Sequence, residues 1–125
     1  MPTVFNEGRH TGEFLLSEGN GQISREAAIV ASGSGVIAPG TVLGRLTSGG
    51  KLVPSPATGS DGSQTAVAVA LYGCDATSAD QTIAIIARDA EVKADALVFH
   101  STVNDATKRA AKAAQLAAAG IIVRA

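Results

Sequence analysis

The hydrophobic positions of this chain fall into short alternating runs rather than long stripes. Residues 66–72 (AVAVALY) set Val67, Val69 and Leu71 on one face and Ala66, Ala68 and Ala70 on the other. Alternation with period two marks a strand, and two apolar faces predict a strand buried on both sides, Tyr72 included. Residues 81–88 (QTIAIIAR) repeat the pattern with Ile83, Ile85 and Ala87 on one side. Asp75 to Asp80 joins these strands as a polar loop. Further strands are predicted in the apolar-rich segment Arg25 to Ser32, at Val36-Ile37, and over Thr41 to Leu46. Pro39-Gly40 signals a turn. Ser48-Gly49-Gly50 links Thr41–Thr47 to Lys51-Leu52-Val53 as a hairpin. Residues 54–64 (PSPATGSDGSQ) carry no core-forming side chain and are expected on the surface. Asp89 to Lys93 and Ala96 to Phe99 follow, and Ile121-Ile122-Val123 reads as a closing strand.

One helix interrupts the strands, over Asp105 to Ala119. Asn104 or Asp105 can cap its first amides, and Gly120 stands where a left-handed residue ends helices. At 100° per residue Ala106, Ala110, Ala113 and Ala117 share one stripe, with Ala114 beside it. Lys108, Lys112, Gln115 and Ala119 fall opposite. The expectation is an alanine face that packs closely on a sheet or a neighbouring subunit. Lys108, Arg109 and Lys112 then form a small solvated basic face. The class is α+β, mostly short β-strands, with one C-terminal helix.

Residues 1–21 differ from the rest. Only Val4-Phe5 and Phe14-Leu15-Leu16 are strongly apolar among glycines and charged residues. A segment without periodicity has little to bury those side chains against itself. Val4, Phe5, Phe14, Leu15 and Leu16 are therefore read as a flexible docking arm that gains a strand or pocket on a partner. The alternative is that Phe14-Leu15-Leu16 packs on its own domain, residues 22–125.

Composition sharpens the picture. Of 57 apolar residues among 125, 24 are Ala, and there is no Trp, one Tyr and three Phe. Aromatics each bury roughly 150–250 Å², so this core must be built from small aliphatics and can gain strength from partner subunits. A net charge of −1 leaves no basic footprint for direct nucleic-acid binding. No apolar run approaches the ~18 residues of a membrane span. The first ten residues lack the basic start and apolar stretch of a secretion signal. Cys74 stands alone and reads as a small, partly buried hydrophobe, which fits synthesis in a reducing cytoplasm.

Candidate chemistry is sparse. Gly33-Ser34-Gly35-Val36-Ile37-Ala38 fits the dinucleotide fingerprint G-x-G-x-x-G/A on paper. A helix must start there to present its amides to a pyrophosphate, and Pro39-Gly40 opposes one. The segment reads as a turn between strands. His10 and His100 lack partners at metal-ligand spacing. The pattern holds no nucleophile elbow, phosphate loop or zinc-protease motif, so neither catalysis nor a cofactor is expected.

Several segments, taken in order, do carry a resemblance. They are Val36-Ile-Ala-Pro-Gly-Thr-Val-Leu-Gly-Arg-Leu, Gly50-Lys-Leu-Val, the Asp61-Gly62 loop and Ala66 to Leu71. Arg88-Asp-Ala-Glu-Val, Asn104-Asp-Ala-Thr-Lys and Ala119-Gly-Ile-Ile-Val-Arg continue it. Over roughly residues 23–125 the chain resembles the head decoration proteins of tailed bacteriophages, the lambda protein D type. The resemblance implies a small fold related to the β-clip, or a small incomplete barrel, without enzymatic activity. It implies a homotrimer at local three-fold sites of the expanded head, clamping major capsid subunits against DNA pressure. It places the protein on the outer surface of the virion. The arm, approximately Pro2 to Gln22, would order by pairing with strands of the major capsid protein.

Two other readings compete. One is a β-clip-type binding module recognising a sugar or peptide on or near a virion, which the shortage of exposed aromatics opposes. The other is a small enzyme or accessory domain, which the missing nucleophile–base pair opposes.

Overall fold

Residues 14–19 and 24–124 are described by a computed structural model of the chain. The period-two runs become strands. They are β1 (Leu15–Glu18), β2 (Arg25–Val30), β3 (Gly35–Ile37), β4 (Val42–Arg45) and β5 (Leu52–Pro54). β6 (Ala66–Ala70), β7 (Cys74–Ala76), β8 (Gln81–Ile86) and β9 (Ala90–Lys93) follow. A 3₁₀ turn at Ala94–Ala96 leads towards helix α1 (Ala106–Ala118), and β10 (Ile121–Arg124) is the last described element.

Five strands close into a barrel in the order β2-β5-β4-β6-β8. The expected hairpin forms its centre, with Arg45 opposite Leu52 and Leu43 opposite Pro54. The small barrel expected to be incomplete is closed. Closure rests on one parallel pair, Val30 with Leu52, reinforced by Ala31 N donating to Leu52 O at 2.9 Å. A barrel of five strands has little room inside. Its interior takes Val30, Leu43, Leu52, Ile83 and Ile85, with Ala68 and Ala70 from β6. Ala68 and Ala70 thus take little of the small interior, while Ala66 belongs to a second cluster.

The other face of β6 and β8 belongs to a second apolar cluster. Val69, Leu71 and Ile86 meet Leu116 of α1 and Val92 and Ile121 of a three-stranded sheet. That sheet runs β1-β9-β10. β1 is antiparallel to β9, and β10 is parallel to it through the crossover that contains α1. Sheet and helix therefore lie over one side of the barrel, and both faces of β6 are buried, as its pattern predicts.

Two segments depart from the sequence reading. Residues 75–80 are not loop throughout, because β7 pairs with β3 in a two-stranded ribbon. The long loop 54–64 does not simply lie on the surface. Ser55 and Ser63 are buried, and Ser55 Oγ donates to Ser63 O at 2.7 Å across its base. Gly44 makes this possible, since a Cβ there would overlap the Ser63 carbonyl.

Candidate functional site

Three surfaces are at issue: the N-terminal segment, the helix faces, and the exposed apolar side chains. Val4 and Phe5 lie outside the described residues. Phe14 is fully buried in the cluster with Val42, Leu97 and Leu116. Its carbonyl accepts from Lys93 N at 2.7 Å. Leu15 pairs with Val92 and is half-buried, while Leu16 is exposed. The register shifts between Leu15 and Ser17, which turns Leu16 outward in a bulge. Of the three apolar residues at this point, only Leu16 remains available to a partner. The packing of the domain thus includes Phe14, ahead of residue 22.

Polar contacts hold β1 to its neighbours. Ser17 Oγ donates to Glu91 Oε2 at 2.8 Å, and Arg124 pairs with the other oxygen of Glu91 at 2.7 Å. Arg25 pairs with Glu18 at 2.7 Å. The Arg25 hydrogen bond lowers the Glu18 pKa, and Arg124, then Ser17, lower that of Glu91. Gly19 N donates to Asp89 O at 2.9 Å and to Ser24 Oγ at 2.7 Å. β1 is a folded edge strand whose outer side faces no other strand among the described residues.

The helix does not turn its alanine stripe to the sheet, one of the two expectations for it. Ala106, Ala110 and Ala117 are exposed and Ala113 is half-buried, whereas Lys112 and Leu116 are buried. Leu116 is the one large apolar side chain in α1, and it sets the inward face. Lys112 is one turn away on that face and is only 1% exposed. Its Nζ donates to Ser55 Oγ at 2.9 Å, Pro56 O at 2.6 Å and Gln64 O at 2.5 Å. The Ser55 hydroxyl proton is already given to Ser63 O, so Ser55 Oγ must accept. These three acceptors take three N–H bonds, which only the ammonium has, and Gln115 Oε1 lies farther off at 3.4 Å. Burial pushes the Lys112 pKa down, and this ring of acceptors works in the other direction. Gln115 Oε1 accepts from Ala66 N at 2.8 Å beside it. Lys112 is therefore a peg that fixes loop 54–64 to the helix, not part of a solvated basic face. The cap is Asp105, whose Oδ1 accepts from Lys108 N at 2.8 Å.

With the helix turned this way, its small residues border a groove of about 250 Å³. Ala94, Phe99, Ala110, Ala113 and Val123 line it, with Asp95 and Arg109. The sequence reading left the alanine face either to a sheet or to a neighbouring subunit, and could not define this groove because Phe99 and Val123 come from other elements. Tyr72 also departs from expectation. It is 46% exposed just beyond β6, in a shallow cleft with Arg25, Glu26 and Ala84.

Gly33 lies in the turn between β2 and β3, and its N–H is used by Ala76 O at 2.7 Å. That turn does not present free amides of the kind a pyrophosphate needs. His100 closes a local turn, its Nδ1 accepting from Thr102 N at 3.1 Å. Cys74 is half-buried on β7, and burial raises its pKa. Among the described residues no group of three or more His, Cys, Asp or Glu side chains could hold a metal ion. No helix among them is long and apolar enough to cross a membrane.

Among the described residues the chain is a small closed barrel flanked by a three-stranded sheet with β1 at its edge, and the polar side chains named above serve turns, caps and pegs. The chain belongs to the family of the bacteriophage lambda head decoration protein D, whose family model matches residues 4–121. No curated protein matches it. The match extends through β1 and into the segment before it, and family membership gives the chain a structural role on the phage capsid.

Proposed function

We propose that the chain works as a homotrimer at local three-fold sites of the expanded phage head. There it clamps adjoining major capsid subunits and strengthens the shell against DNA pressure. It is made in the host cytoplasm and ends on the outer surface of the virion, with no cofactor and no direct contact to nucleic acid or membrane. The observation that carries this reading is the way the N-terminal segment joins the domain. Residues 1–13 directly precede Phe14 in sequence, and the buried Phe14 anchors β1, an edge strand among the described residues. An edge strand with a free side can take up a strand from a partner, with backbone hydrogen bonds supplying affinity. Val4, Phe5 and the exposed Leu16 are the side chains assigned to the capsid, and the β-clip relation belongs to the same reading. Preferential binding to the expanded lattice stabilises that lattice by mass action.

Cosedimentation with expanded and unexpanded heads tests the proposal. The full chain should bind expanded heads saturably at micromolar concentration and unexpanded heads far less. Deleting residues 2–13 should weaken binding while the domain stays folded. A full chain that ignores expanded heads would overturn the reading.

A further inference from the structure

Two exposed features of opposite shape occur on this one chain. The first is the β3–β7 ribbon, on which Val36 is 77% exposed. Val36 is opposite Asp75 in the ribbon register. Asp75 Oδ1 accepts from Thr77 N and Thr77 Oγ1, which leaves Oδ2 to accept from another partner. The second feature is the groove beside α1. Phe99 and Val123 give it apolar walls, and Ala110 and Ala113 keep it open because neither side chain extends past Cβ. Arg109 lies at the same groove and makes no ion pair among the described residues. One feature thus offers an apolar knob beside an anion, and the other an apolar hollow bordered by one cation, Arg109, and one anion, Asp95.

A single copy cannot use both features on itself in a ring. A heterologous contact uses two different patches per subunit and closes when the rotation between copies returns to the start. We propose that the β3–β7 ribbon of one copy seats in the α1 groove of the next, with Val36 on the apolar floor and Asp75 paired to the neighbour's Arg109. The inference rests on the homotrimer reading and names the contact that builds it. The exposed face of α1 then has an occupant, and the inward turn of Lys112 is what leaves the alanines free to receive it.

Charge reversal tests the contact. The full chain is measured by sedimentation equilibrium, alone and on expanded heads. Arg109→Asp and Asp75→Arg should each weaken self-association by at least about tenfold, since close interfacial charge pairs couple strongly. Combining them should restore association to within a few fold of the unaltered chain. Ala110→Trp fills the groove and should block association without unfolding, because Ala110 is exposed. Melting curves confirm that each variant is folded. Unchanged association in the single variants, or no recovery in the double, would overturn the contact. An unaltered chain that is monomeric both in solution and on heads would do the same. Normal binding to expanded heads alongside indifferent charge variants would remove this contact and leave the decoration role standing.

Discussion

Replacing Lys112 with methionine removes the ammonium while keeping much of the stem that fills the space beside Leu116. Three acceptors lose their donor: Ser55 Oγ, Pro56 O and Gln64 O, at 2.9, 2.6 and 2.5 Å. A hydrogen bond from a charged donor contributes about 1.5–3 kcal/mol, and a buried polar group left unpaired costs about 1–3 kcal/mol. Against this, the variant no longer buries a charge, an expense of several kcal/mol in the native protein. The net expectation is a loss of about 2–4 kcal/mol. For a chain of this size that lowers Tm by about 10 °C, at roughly 4 °C per kcal/mol. Calorimetry measures the shift, and amide exchange locates it: protection should fall first in residues 56–64. Lys108→Met is the control, because Lys108 Nζ meets only Asn104 Oδ1 at 3.1 Å in an exposed setting. It should change Tm by no more than about 2 °C. A Lys112→Met variant that melts within about 2 °C of the native chain would refute the peg.

Further predictions concern the start of the domain and its close contacts. Phe14→Ala should cost about 3–5 kcal/mol by urea denaturation, as expected for emptying a buried aromatic site; a loss below about 1 kcal/mol would place Phe14 outside the core. Deleting residues 2–13 should leave Tm within a few degrees, whereas deleting 2–21 should lower it sharply, because the second cut removes Phe14 and β1. Gly44→Ala should destabilise by about 1–3 kcal/mol, since its Cβ meets the Ser63 backbone, which has little freedom to shift. Acid should loosen β1 early. Glu18 and Glu91 have folded pKa values below the ordinary 4.5. Their contribution is therefore present above pH 4.5 and is lost as pH falls through the folded values. Amide exchange over 15–18 should accelerate in that acid range before exchange in β6 or β8; simultaneous loss of all protection would contradict this.

The barrel strands were the most legible part of the chain because their side chains alternate and their turns carry Gly, Pro and Asp. β6 is the clearest case, with Val69 and Leu71 to one cluster and Ala68 and Ala70 to the other, while the register shift at Leu43/Gly44 sends Ala66 to the former and Val67 to the latter. The helix limits were equally plain from Asp105 and Gly120. Its orientation was not, because alanine counts as apolar in a periodicity yet buries almost nothing. Leu116 was the better guide, as the only large apolar side chain in α1. Lys112 misleads for the same reason: a lysine reads as solvated until the carbonyls it must satisfy are known, and those come from a loop about fifty residues earlier. Phe14 shows the limit of local reading. Its described neighbours in the cluster arrive from far along the chain, from β4, residue 97 and α1. The groove could be found only once the helix was turned.

The central claim is that this domain binds the phage head as a ring of copies. A cryo-electron microscopy reconstruction of expanded heads incubated with the full chain tests it most directly. Three-lobed density is expected at the local three-fold positions, with β1 extended by a strand at the capsid surface. Heads without added density, or density of single copies away from those positions, would contradict it.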